Sequence, residues 1–287
     1  MPTIGFANLT EDQNFPRRVQ EGLEKAARAH GLDVIVRNNA MDNERAMENV
    51  RFFAEERVDI CIIYHIDERY NPNLTPILMR KGIPIITVDI PMPLSLHYGV
   101  DNDRAGLLAG QAAAEWVNRH WGGKIDKLLG VTDSRLLGEI QNRLTKAVDV
   151  LSEHTTLDHE DVLYISGDSS DDITRERALT VLERWEDYSR ILILGLNDES
   201  ALGTLEAAHL LGRDADVAAV GQGANLLNMI YREKAHLRLI GSVNFEPERY
   251  GIDLVDMSLR ILSGEKLPRI NTFEPGFISR EQWEAEN

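Results

Sequence analysis

Asn197 and Asp198 stand where polar side chains can meet a ligand. Four apolar residues, 191–194, precede them, a run short enough for a strand buried on both faces. Gly195-Leu196 then turns the chain, and an Ala/Leu-rich helical run follows. At the end of a parallel strand, a carboxamide and a carboxylate project into the crevice above the sheet, where open α/β sheets hold ligands. Both residue types also cap helices by accepting free N–H groups. Asp198 suits either role, and Asn197 is expected to contact ligand. The chemistry available is multidentate hydrogen bonding. No Ser/His/Asp or Cys/His set and no P-loop is present, and Gly221-Gln222-Gly223 lacks the third glycine of a dinucleotide loop, so no enzyme is expected.

Such residues need a scaffold, and the composition allows a large one. The 287 residues exceed the usual size of a single core, and 43% hydrophobic with 27% charged residues is ordinary for a globular protein. The formal net charge of −16 argues against a nucleic-acid surface, which needs clustered Lys and Arg to replace counterions. The single cysteine, Cys61, lies in an apolar run and reads as a buried small hydrophobe. Eight histidines are scattered without i,i+4 pairs or Cys/His ligand spacing, so neither a metal site nor a cofactor is expected. The chain opens MPTIGFAN, already strand-like, so either the protein is cytoplasmic or a signal segment has been removed.

Strand and helix signals alternate almost without interruption. Strands are expected at 3–7, 33–36, 60–64, 84–88 and 97–100, with helices at 15–30, 43–56 and 73–81 between them. The pattern then restarts. Helices at 106–119, 138–153, 174–185, 201–211, 225–233 and 250–263 interleave with strands at 127–131, 162–166, 191–194, 217–221 and 238–243. Two successive units, each a doubly wound parallel α/β sheet, explain this better than one continuous sheet.

The order of motifs is recognisable. The chain resembles the type I periplasmic sugar-binding proteins of ABC importers, the ribose- and galactose-binding group, which is related to the effector domains of lac-repressor-type regulators. The resemblance rests on IGFANLTEDQNFPRRVQEGLEKAARAHGLDV, GIPIITVDI, VDNDRAGLLAG, LGLNDESALGTLEAA, VAAVGQG, and GSVNFEPERYG followed by ILSGEKLP. It implies two similar α/β lobes joined by three chain crossings, an N-terminal lobe of 1–102 plus 246–269 and a C-terminal lobe of 103–245 plus 270–287. Ligand would bind between the lobes, which close on it about the hinge.

Carried over by position, the resemblance places Gln13 and Phe15 in the first ligand loop, Phe15 offering a face to a sugar ring. Tyr64 follows the third strand, and Asp89 matches the strand-end aspartate that accepts ring hydroxyls. In the second lobe Gln141, Asn197, Gln222 and Asn244 occupy ligand positions, with Arg143 as a neighbouring structural arginine. Pro16 replaces a second aromatic, Ile90 and Gln141 replace arginines, and Gln222-Gly223 stands where an aspartate is usual. The departures at Ile90, Gln141 and Gln222-Gly223 remove charged contacts and point to a neutral pentose, hexose or polyol other than the ligands of the best-known relatives.

The resemblance therefore implies a monomeric solute receptor that delivers a sugar-like molecule to the membrane permease of an ABC importer, in the periplasm or another extracytoplasmic compartment. The alternative is a cytoplasmic effector-sensing domain of a lac-repressor-type regulator lacking its DNA-binding head.

Overall fold

A computed structural model describes residues 1–287. The elements, in chain order, are β1 (Thr3–Asn8), α1 (Asn14–Ala29), β2 (Asp33–Asn38), α2 (Asn43–Glu56), β3 (Ile60–Ile63), α3 (Thr75–Met79), β4 (Ile85–Val88) and β5 (Leu96–Val100). Then come α4 (Asn102–Trp121), β6 (Lys127–Thr132), α5 (Asn142–His154), β7 (Val162–Ser166), α6 (Asp171–Arg184), β8 (Ile191–Gly195), α7 (Asp198–Leu210) and β9 (Val217–Gly223). The chain ends with α8 (Leu227–Glu233), β10 (Leu239–Asn244), α9 (Pro247–Leu262), β11 (Ile270–Phe273), β12 (Gly276–Ser279) and α10 (Arg280–Glu286). No helix is long and apolar enough to cross a membrane.

Two compact units form, Met1–Val100 with Glu246–Phe273, and Asp101–Phe245 with Glu274–Asn287. Each has one six-stranded sheet, ordered β2-β1-β3-β4-β5-β11 in the first lobe and β7-β6-β8-β9-β10-β12 in the second. Every pairing is parallel except β10 with β12. The central strands β3, β4 and β8 are buried along their whole length. That is why they read as unbroken apolar runs, since helices must cover both faces of a parallel sheet. Strand order reverses between β1 and β3 and again between β6 and β8. A doubly wound sheet opens a ligand crevice at such a switch point, outside the carboxyl ends of the strands.

Glycine sets how closely some helices approach. A Cβ on Gly22 of α1 would lie 2.6 Å from the Glu248 carbonyl of α9, and one on Gly251 would lie 2.1 Å from the Leu23 nitrogen. The pair therefore packs backbone to backbone, and α9 is held in the first lobe although it follows the second in sequence. Gly106 and Gly110 play the same part between α4 and α5, where a Cβ would meet the Asn142 carbonyl at 2.3 Å and the Ala147 Cα at 2.8 Å.

The structure moves two of the expected lobe boundaries. Asp101 and Asn102 belong to the second lobe, because the Asp101 carboxylate caps α4 by accepting the Arg104 N–H at 2.9 Å. Residues 270–273 belong to the first, because they pair in parallel with β5 from Ile270 opposite His97 to Phe273 opposite Val100. Cys61 is fully buried, and burial holds its thiol protonated far above the usual range.

Candidate functional site

In the first lobe the strand-end aspartate is the best-organised group. Asp89 follows β4 with φ +59°, a left-handed conformation that costs a non-glycine residue energy and turns its side chain out of the strand direction. The carboxylate is buried, and each oxygen accepts a phenol: Tyr64 donates to Oδ2 at 2.8 Å and Tyr250 to Oδ1 at 2.8 Å. Gly99 permits this placement, since a Cβ there would stand 3.2 Å from both the Asp89 Cα and Oδ1. The nearby His97 imidazole is pushed below its usual pKa by burial, with the Asp89 charge opposing, and its Nδ1 has no hydrogen-bond partner.

Aromatic rings complete this lobe's site. Tyr250 meets Phe15 edge-on at 5.4 Å, Tyr98 at 5.1 Å and Phe273 at 5.6 Å. Phe15, at the start of α1, is half-buried, and Gln13 is the N-cap residue of α1 without using its side chain for the cap. Gln13, Phe15, Tyr64 and Asp89 thus all follow the carboxyl ends of β1, β3 and β4. Tyr250 is the residue that strand-end reasoning missed: it lies on α9, which packs closely on α1 through Gly22 and Gly251, and its ring also meets Tyr98 and Phe273.

In the second lobe Asn197, Gln141, Gln222 and Asn244 also lie at or beyond strand carboxyl ends. Asn197 is the N-cap of α7, its Oδ1 accepting the Ser200 N–H at 2.8 Å. The cap leaves the Nδ2 amide available to donate. Asp198 spends its carboxylate inside the lobe. It is fully buried and accepts the Ser242 hydroxyl at 2.6 Å and the Leu226 N–H at 3.0 Å, tying the start of α7 to β10 and to the residue that precedes α8. Burial raises its pKa, with these hydrogen bonds opposing. The adjacent Glu199 is pushed up to about 7 by burial and by the Asp198 charge, and its Oε1 accepts from Asn225 at 3.1 Å.

Gln141 spends both ends of its amide inside the lobe: Oε1 accepts the Thr132 hydroxyl at 2.8 Å and Nε2 donates to the Leu136 carbonyl at 2.7 Å. Gln222 differs. β9 runs two residues further than expected, to Gly223, and carries Gln222 into a buried position. Its Nε2 donates to the Arg143 carbonyl at 3.1 Å, and its Oε1 has no partner. Arg143 is also buried, with Nε donating to Asn102 at 2.7 Å, its guanidinium 4.5 Å from the Phe245 ring centroid, and Nη2 unpartnered. A buried donor and a buried acceptor left unmade each carry a desolvation cost that a polar ligand relieves. Asn244 ends β10, paired with Gly223 and Gly276. Sequence reasoning left Arg143 as structural, and its unsatisfied Nη2 has no signal in the residue pattern.

The sequence profile of the periplasmic binding protein domain matches residues 4–266. The chain belongs to this family. Among its relatives, the ribose import binding protein RbsB of Bacillus subtilis is 25% identical over 272 residues, spanning 93% of this chain and 84% of that protein. A solute-binding protein of Actinobacillus succinogenes, solved with bound D-allose, superposes with a TM-score of 0.84 at 18% identity, over 99% of this chain and all of that one. The periplasmic component of the arabinose ABC transporter of Shewanella, bound to L-arabinofuranose, gives a TM-score of 0.84 at 18% identity, covering 99% and 94%. At that identity the likeness establishes the fold, two α/β lobes with mainly parallel sheets, as in type I periplasmic binding proteins.

Proposed function

We propose that the protein is a solute receptor of an ABC importer, working outside the cytoplasm, that captures a neutral polyhydroxylated molecule of the pentose, hexose or polyol class and delivers it to a membrane permease. The observation that carries the reading is the pairing of chemistries at the strand ends. Asp89, ordered by two phenols, offers a charged acceptor in the first lobe. Arg143 Nη2 and Gln222 Oε1 offer a donor and an acceptor in the second. Sugar hydroxyls both donate and accept, so a set of them can satisfy all three, and Phe15 supplies an apolar face for ring C–H groups.

We assign Gln13, Phe15, Tyr64, Asp89, Asn197, Gln222 and Asn244 as ligand-facing, add Arg143 and Tyr250, and read Gln141 as a residue that positions the loop after β6. The protein acts as a monomer and performs no turnover. The sugar-import relatives favour this role over an effector domain of a transcriptional regulator.

Isothermal titration against pentoses, hexoses, polyols and aminosugars tests the reading. It predicts saturable one-to-one binding of at least one neutral member with no chemical change in it. A flat response to the whole panel contradicts it.

A further inference from the structure

We propose that His209, Asp214 and His236 form a binding site for a divalent transition metal, with Zn²⁺ the best-fitting ion, at the end of the second lobe opposite the strand carboxyl ends. One ligand atom from each residue lies within 4.8 Å of the other two. His209 Nδ1 stands 3.0 and 3.1 Å from the two Asp214 oxygens. The His209 and His236 rings pack with centroids 4.3 Å apart at 50°. Zinc–nitrogen bonds of about 2.0–2.1 Å place neighbouring ligand atoms of a tetrahedral centre about 3.3 Å apart. The His209–Asp214 spacing meets this already, and rotation of the exposed imidazoles closes the remaining span.

Three segments deliver these residues. His209 is in the last turn of α7, Asp214 follows the Gly212 turn (φ +68°), and His236 lies in the loop between α8 and β10. The backbone beneath each is fixed. Ala208 and Leu237, neighbours of the two histidines, are each 1% exposed, and Arg238 Nη1 donates to the Ala215 carbonyl at 2.7 Å, clamping one loop to the other. The cations nearby are turned elsewhere: Arg213 pairs with Asp216 and donates to the Leu182 and Tyr188 carbonyls. A histidine at a helix C-terminus beside an aspartate is accounted for by the helix dipole and an ion pair. The second imidazole, brought in from a separate loop against the first, is not.

Two imidazoles and one carboxylate leave open positions for water, a donor set that suits Zn²⁺, Ni²⁺ or Cu²⁺ and disfavours Ca²⁺ and Mg²⁺. A bound ion cross-links the end of α7 to the loop before β10, so it stabilises the lobe in proportion to the logarithm of its concentration over Kd.

The test is isothermal titration of the full, chelator-stripped chain with ZnCl₂, beside thermal unfolding with and without Zn²⁺. Expected are one saturable site, a rise in Tm with Zn²⁺ and none with CaCl₂ or MgCl₂. His236→Ala and Asp214→Asn each weaken binding by at least about tenfold, as losing even an outer-shell partner does. His236 is exposed and Asp214 half-exposed, so the variants should unfold like the parent without metal. Absence of saturable binding to the parent protein, or unchanged affinity in both variants, overturns the proposal.

Discussion

At the residue scale, a few side chains are suited to two demands at once. Asn197 illustrates the overlap. Its type suits both a helix cap and a ligand contact, and the structure uses Oδ1 for the cap, so the residue pattern alone had no means of separating the roles. Asn197→Ser separates them, because serine caps as well as asparagine but lacks the second amide donor. Stability should stay within about 0.5 kcal/mol of the parent in urea unfolding, while sugar affinity falls by about 0.5–1.5 kcal/mol. Tyr250 makes the complementary case. Tyr250→Phe keeps the ring among Phe15, Tyr98 and Phe273 and deletes one donor to Asp89. It should destabilise the chain by about 1–3 kcal/mol in the same assay, since a buried charged acceptor loses a partner.

At the element scale, two features set stability. The N-terminus of α7 carries Asp198 and Glu199, both with raised pKa values. A carboxyl whose folded pKa is raised binds more protons folded than unfolded, so its contribution to stability falls as pH rises from the unfolded value through the folded one. For Glu199 that window runs from 4.5 to about 7. Glu199→Gln should therefore be more stable than the parent at pH 8, by about 1–3 kcal/mol, with the difference fading toward pH 4. A difference in Tm that grows as pH falls would contradict this. The second feature is the α1–α9 contact. Gly251→Ala places a methyl against the Leu23 backbone and should cost about 1–3 kcal/mol of stability by prising the helices apart. It should weaken sugar binding as well, because Phe15 and Tyr250 sit on those two helices.

At the scale of the whole molecule, the two α/β units were legible because their central strands are buried on both faces and alternate with helices of clear period. The last strands were not. β11 and β12 have four residues each, partly exposed, and nothing in INTF or GFIS says that one extends the β5 edge and the other the β10 edge. The candidate positions Tyr64, Asp89 and Asn197, each after a strand, could be proposed from the order of motifs and the family resemblance. The site was hidden where long-range packing makes the contact, as with Tyr250 on Asp89, or where significance lies in an unmade hydrogen bond, as with Arg143. The His209–His236 pair was hidden for a like reason: the residues are 27 positions apart and meet because the end of α7 and the loop before β10 share one end of a sheet.

The central claim is that the chain binds a polyhydroxylated ligand through a charged acceptor, Asp89, and a charged donor, Arg143. Titrating the best-binding sugar into Asp89→Ala and Arg143→Leu, one substitution in each lobe, tests it most directly. The account predicts that each loses about 1.5–3 kcal/mol of binding free energy, the worth of a hydrogen bond to a charged group. Parent-like affinity in either variant, with its fold intact, would show that its lobe does not hold the ligand through that group.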